Sequence, residues 1–358
     1  MAAVCISHSA LYLTAHPEHQ RILATIGMVA TPSFLLLSGT VCGYLATKAR
    51  EDVSQFRRRL IDRGLFLLIV AHLVIGLTNS AWAPLDDVLI GSVYITDAVG
   101  IGLIVAAFAA RRLSSRQLLA CGFALYLGAC ALTASIEPTS DHARFLARLF
   151  LGIGGGNWQQ GGYVVPVLPY LAIFLIGLAG GREYGARRAR GATLLQIART
   201  CMWIGLACMT AAVCIKVLAV GAKPSLSVEL HDDLWFLTDP RQKIPPGISY
   251  ALAFGGAGVL GTAAIFAMSH FARGQMLIAA LSTVGRASLI TFVVQFWVYA
   301  YPARVLQIGD LGAWWPLAFA GSVMFLWLVA AGWDRANYNR FLTLGLRGRK
   351  TSRLPAEA

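Results

Sequence analysis

Residues 24–82 read ATIGMVATPSFLLLSGTVCGYLATKAREDVSQFRRRLIDRGLFLLIVAHLVIGLTNSAW. Two apolar runs, 24–47 and 64–82, are divided by a cluster holding Lys48, Arg50, Arg57, Arg58, Arg59 and Arg63. Each run is close to the ~20 residues that a helix needs to cross the roughly 30 Å hydrocarbon core of a bilayer. The stretch therefore predicts two neighbouring membrane helices joined by a basic loop.

The pattern continues outward in both directions. Further apolar runs lie at 93–110, 117–135, 163–181, 200–221, 249–271, 283–301 and 312–333, and an apolar stub from Met1 to Leu13 precedes them all. Arg111, Arg112 and Arg116 follow the run 93–110, and Arg182, Arg187, Arg188, Arg190 and Arg199 follow 163–181. Arg273 and Arg286 flank the turn after 249–271, and Arg335, Arg340, Arg347, Arg349, Lys350 and Arg353 close the chain. The alternate connections are poor in cations: none in 83–92, Arg144 and Arg148 in 136–162, Lys223, Arg241 and Lys243 in 222–248, and Arg304 in 302–311. Every second loop is basic, and cytoplasmic loops carry the excess of Lys and Arg. The C-terminus is accordingly expected in the cytoplasm and the protein in a bacterial inner membrane. Residues 14–23 then lie outside and Met1 lies within the membrane, so a natural start upstream of Met1 is expected; no secretory signal pattern precedes Leu13.

Composition excludes the other classes. Of 358 residues 57% are hydrophobic and only 13% charged, against about 25% charged in a soluble domain. The same balance is the reverse of the disordered signature. The formal net charge of +13 follows from the basic loops and does not call for nucleic acid. Seven Cys lie in apolar runs with neither metal-ligand nor disulfide spacing, and read as small buried hydrophobes. The outward segments 136–162 and 222–248 contain Gly and Pro and are placed to cap a cavity; GIGGGN at 152–157 follows no strand and is not a phosphate loop. The expected fold is an all-α polytopic helical bundle of about ten transmembrane helices with a partial first helix, over residues 1–334, followed by a basic cytoplasmic tail, 335–358.

Ionisable groups within a membrane are costly and mark sites by default. His8 lies in the stub, His72 in mid-span, Asp97 near the outer end of its span, Lys216 in an outer half, and Gln295 in mid-span. Lys216 and Arg286 read as residues that reach an interface. His72 and Gln295 suit hydrogen bonding between helices, and Asp97 suits a helix N-terminus. His8 is followed by His16 and His19, but the irregular spacing does not make a metal set, and no metal is expected. A neutral imidazole in a membrane cavity can instead take a proton from a hydroxyl or amine. Ser38, Gly39 and Gly43 suit close helix packing, or passage of a thin substrate tail.

Four segments stand in order along the chain. The first is His8. The second is Phe34-Leu35-Leu36-Leu37-Ser38-Gly39 with Tyr44, followed by Arg58-Arg59-Leu60-Ile61-Asp62-Arg63. The third is Leu168-Pro169-Tyr170-Leu171 with Phe174, Gly177, Gly181 and Arg182, and the fourth is Leu281 with Gly285-Arg286-Ala287-Ser288-Leu289. In these the chain resembles the transmembrane acyltransferase superfamily, which includes the acyltransferase-3 proteins, the periplasmic glucan-modifying acyltransferases and the heparan glucosaminide acetyltransferase catalytic domain. The fourth segment ends in Gln295 where many relatives have His. The resemblance implies a cytoplasmic acyl-CoA donor and an acceptor sugar or glycan at the membrane or its outer side. His8 is the expected general base or acyl carrier, oriented by Asp97. Arg58, Arg59, Arg63, Arg182 and Arg286, with Ser38 and Gly39, are expected at the donor; His16, His19, His72 and Gln295 at the acceptor. The bilayer and, as one option, a second copy of the chain complete the expected partners. The competing expectation is a transporter or flippase of a small molecule or lipid-linked glycan, although no internal repeat relates 1–160 to 163–330.

Overall fold

The computed structural model describes residues 2–13, 17–48, 53–79, 92–153, 165–222, 235–304, 306–308 and 311–346. Among them there is no strand, only an isolated bridge between Lys243 and Pro246. The chain is an all-α polytopic bundle. Its helices are α1 (Ala2–Leu13), α2 (Pro17–Gly27), α3 (Ala30–Lys48), α4 (Val53–Phe66), α5 (His72–Asn79), α6 (Ile95–Ala109), α7 (Ser115–Ser135), α8 (Asp141–Leu151), α9 (Val167–Ala189), α10 (Leu194–Ala222), α11 (Ile248–Met268), α12 (Ala272–Arg286), α13 (Ser288–Arg304) and α14 (Trp315–Arg335).

Helical runs Gln20–Lys48, Val53–Thr78, Ser115–Ser135, Leu194–Gly221, Ile248–Met268 and Gly312–Arg335 are long and apolar enough to cross a membrane. Their outer faces carry large apolar side chains exposed for lipid, among them Leu37, Val41, Phe123, Leu127, Val217 and Leu218. Burying polar backbone inside helices while leaving apolar side chains outside is the arrangement that hydrocarbon requires.

Three expected spans are not among these runs: 93–110, which holds the shorter apolar helix α6, 163–181, which holds α9, and 283–301. The run 283–301 is not a single rod: α12 and α13 meet at an 81° bend. The helix stops at Ala287, whose ψ of 24° leaves the helical basin, directly after Gly285 and Arg286. Arg286 is held there by Asp334 of α14 at 2.8 Å. α12 is set nearly across α13, with Met276, Leu277 and Leu281 exposed. The outward segment 136–162 likewise contains a helix. Ser140 Oγ accepts the Ala143 N–H at 3.2 Å to start α8, and Gly152 in the left-handed conformation (φ 85°) ends it.

The main core is a seam between α3 and α9. A methyl group added at Gly39 or Gly43 would run into the backbone of Phe174 or Leu178, and one added at Gly177 or Gly181 into Leu36 or Thr40. The two small-residue patterns thus face each other, and backbone touches backbone. Thr40 Oγ1 bonds Leu36 O at 2.7 Å and Gly177 O at 3.2 Å across this seam. Gly181→Leu is expected to lower stability by about 1–3 kcal/mol or more, read as a lower melting temperature and a smaller monodisperse fraction of the solubilised protein.

A second, smaller core contains Cys5, Leu13, Tyr299 and Leu326, from α1, α13 and α14. A third cluster, Ile75, Tyr94, Phe292 and Phe296, lies between these bodies. At the basic end, Asp62 of α4 is fully buried: it accepts the Thr343 hydroxyl and the Leu344 and Leu346 N–H groups, the latter two at 3.0 and 3.1 Å. The start of the expected tail is therefore packed onto α4; residues 347–358 lie outside the described set.

Candidate functional site

Helix α6 opens below the surface, because Ser92 and Tyr94 before it are buried. Asp97 in its first turn is only 4% exposed, so it is not the solvated cap that its boundary position predicts. Its Oδ2 accepts the Tyr94 N–H at 2.7 Å and meets His72 Nδ1 at 2.8 Å. Two features bring His72 there. Gly64 of α4 and Gly100 of α6 cross with each carbonyl against the other's Cα, which draws the helices together. Then a π turn, Leu67–Ala71, inserts one residue before His72, whose N–H reaches back to Leu67 O. Such single π turns inside α-helices concentrate at functional sites. With Nδ1–H held by Asp97, a neutral His72 ring carries its lone pair on Nε2.

His8 projects from α1 against Phe296, ring centroids 5.0 Å apart. Phe296 belongs to the third cluster, which includes Tyr94, and the His72 ring lies 5.3 Å from that of Tyr94. The two imidazoles therefore flank one aromatic cluster, His8 from the α1–α13 side and His72 from the α5–α6 side. One turn before His8, Cys5 Sγ lies 3.8 Å from Gln295 Oε1. Lys243, from the segment after α10, lies close enough to act electrostatically on His8. Asp97 Oδ1, Thr96 Oγ1 and Gln295 Nε2 are buried without a hydrogen-bond partner among the described residues. Orphaned polar atoms are rare in native interiors; Asp97 Oδ1 belongs to the residue that holds His72, and Gln295 adjoins Phe296, the ring against His8.

Several expectations change. Asp97 is paired with His72, not with His8, because α6 packs on α4 and on the π turn that leads into His72, while α1 packs on α13 and α14. Gly39 is filled against α9 backbone, which leaves no width for a substrate tail at that seam; Ser38 beside it is half-buried. Arg182 donates to Leu113 O, tying α9 to the turn after α6. Arg286 is bound to Asp334 and Ser282. Arg58, Arg59 and Arg63 are exposed on α4. Lys216 lies 3.4 Å above the Trp235 ring, as a cation reaching an aromatic boundary does. His16 lies outside the described residues, as does the side chain of His19. Of the seven cysteines, all free, Cys5, Cys42 and Cys130 are buried, whereas Cys121 and Cys214 are exposed on lipid-facing surfaces. Among the described residues no group of three His, Cys, Asp or Glu is placed to hold a metal ion. A shallow cavity of about 400 Å³ opens at the basic end, lined by Glu183, Arg187, Arg190, Gln196 and Thr200.

The His72–Asp97 pair is the feature that sequence reasoning missed. Its signal was present: a His in mid-span and a carboxylate near the outer end of the next span.

Membrane helices closed around buried imidazole, carboxylate and amide groups define a polytopic membrane protein with an intramembrane polar site. Residues 3–214 match the family model described as "Heparan-alpha-glucosaminide N-acetyltransferase, catalytic". The match spans more than half of the chain, and the protein belongs to this family. Membership implies an acetyltransferase. No curated protein and no solved structure gives a match.

Proposed function

We propose that the protein moves an acetyl or other short acyl group from cytoplasmic acyl-CoA to an amine or hydroxyl of a sugar at the membrane or its outer side. The observation that carries this reading is the carboxylate-oriented imidazole of His72, half-buried against the same aromatic cluster as His8. Family membership supports the acetyl group, and the family's description makes a terminal glucosaminide amine the first acceptor to test.

His8 removes a proton from the acceptor as it attacks the thioester carbonyl. The new N–C or O–C bond forms, the C–S bond breaks, and the proton returns to the leaving thiolate. His72, fixed by Asp97, holds the acceptor or shares the proton. Burial in an apolar cluster keeps water from the thioester. The basic end faces the cytoplasm in this reading, and exposed Arg58, Arg59 and Arg63 there suit charge-assisted bonds to the donor's phosphates. Arg182 and Arg286 already bond within the chain and are the weaker donor ligands.

The test is purified protein in proteoliposomes, with labelled acetyl-CoA on one side and a glucosamine-terminated oligosaccharide on the other. Label in the sugar, only when acetyl-CoA meets the basic side, is the expected result. Absence of transfer from either side to any amino or hydroxyl sugar would overturn the reading. In the same assay, replacing Arg58 and Arg59 with Ala should raise the donor KM severalfold and flatten its salt dependence.

A further inference from the structure

Gln295 lies in α13, outside the residues that match the family model. Its side chain is fully buried. An amide that merely joins helices satisfies both its ends. Here only one end is engaged. Oε1 faces the Cys5 thiol at 3.8 Å, a weak donor. Tyr299, in the same small core as Cys5, has its Oη 2.9 Å from Ser322 Oγ. Cys5 thus faces the oxygen end from α1, and the NH2 end is turned away from that thiol. That NH2 group has no partner among the described residues.

We propose that Gln295 Nε2–H is the oxyanion donor of the transfer reaction. The assignment rests on the acetyltransferase reading and adds a catalytic residue to it. Cys5 and His8 lie one turn apart on α1, and Gln295 and Phe296 face them from α13. The base and the orphaned donor therefore line one helix–helix contact. When the acceptor attacks the acyl carbon, the carbonyl π pair moves onto oxygen, and Nε2–H binds the charge that develops there. The pair then returns, the C–S bond breaks, and the thiolate takes the proton that His8 removed from the acceptor. A rigid donor in a dry site needs no reorganisation during this step, and that is where such donors have their largest effect. Before substrate arrives, the same group is a buried polar atom without a partner, so the site is held at a cost in stability.

Gln295→Met keeps the shape and removes the donor; Gln295→Leu removes both polar ends. Both are measured in nanodiscs with acetyl-CoA and a glucosamine-terminated acceptor, with kcat normalised to folded protein. Both variants should lose about a hundredfold or more in kcat, with the donor KM nearly unchanged. Gln295→Met should melt at or above the wild-type temperature, because a buried orphan has been removed. An active wild type together with a Gln295→Met kcat within about threefold of it, where loss of an oxyanion donor costs at least a hundredfold, overturns the assignment and leaves the acetyltransferase reading intact. A Gln295→Met protein that melts lower and keeps its kcat per folded molecule overturns it too, and returns Gln295 to helix joining. A wild type that transfers nothing overturns the reading and the assignment together.

Discussion

His8→Ala should abolish acyl transfer, with kcat falling by about a thousandfold or more, within the 10²–10⁴ range of a positioned base. The imidazole lies half-buried between α1 and α13, its ring against Phe296. Alanine leaves a helix that still packs through Cys5, Leu13, Tyr299 and Leu326, so membrane insertion and the elution profile should be unchanged. Initial rates of label transfer by wild type and variant, at matched amounts of folded protein, decide the point. Equal turnover would remove His8 from the mechanism. If His8 carries the acyl group covalently, mass spectrometry after donor alone is added should show an acetylated wild-type protein and an unmodified variant.

Asp97→Asn should cost nearly as much. The carboxylate Oδ2 accepts from both Tyr94 N–H and His72 Nδ1–H. An asparagine can set its one oxygen where Oδ2 lies and keep both bonds, with its NH2 at the unpartnered Oδ1 position, but it carries no charge to hold the Nδ1–H tautomer or to stabilise a His72 imidazolium. Loss of a carboxylate that fixes a catalytic histidine's tautomer costs up to about 10⁴ in kcat. Asp97→Ala should add a structural penalty, about 1–3 kcal/mol for each buried donor left unpaired. The measurement is kcat against melting temperature for both variants. If Asp97→Asn melts like wild type and also turns over like wild type, the His72–Asp97 pair serves packing alone.

Much of the architecture was legible because a bilayer constrains sequence so strongly. The runs 24–47, 117–135 and 312–333 and the basic clusters between spans follow from the thickness of hydrocarbon and the placement of charge, and helices stand at all three runs. The small residues at Gly39, Gly43, Gly177 and Gly181 were legible as packing, though not that they face one another. The break at Ala287 was hidden because the apolar run resumes directly from Leu289 to Tyr301, so Gly285, Arg286 and Ser288 read as the polar end of one span. The partner of Asp97 was hidden for a different reason. Which histidine a buried carboxylate meets depends on rotation about helix axes, and the π turn at Leu67–Ala71 changes that rotation without leaving a mark in composition. Asp62, within Arg58–Arg63, reads as one more charge in a basic loop, yet it is buried and binds the segment after α14.

The separateness of the cores bears on what sets the distance between the two histidines. His72 and Asp97 ride on the larger body, welded along α3 and α9, whereas His8 and Gln295 ride on the smaller one. Ile75, Tyr94, Phe292 and Phe296 are the interface between them. That interface belongs to neither core, so a change of side-chain volume at Phe292 or Phe296 alters the span between the two imidazoles before it disturbs either interior.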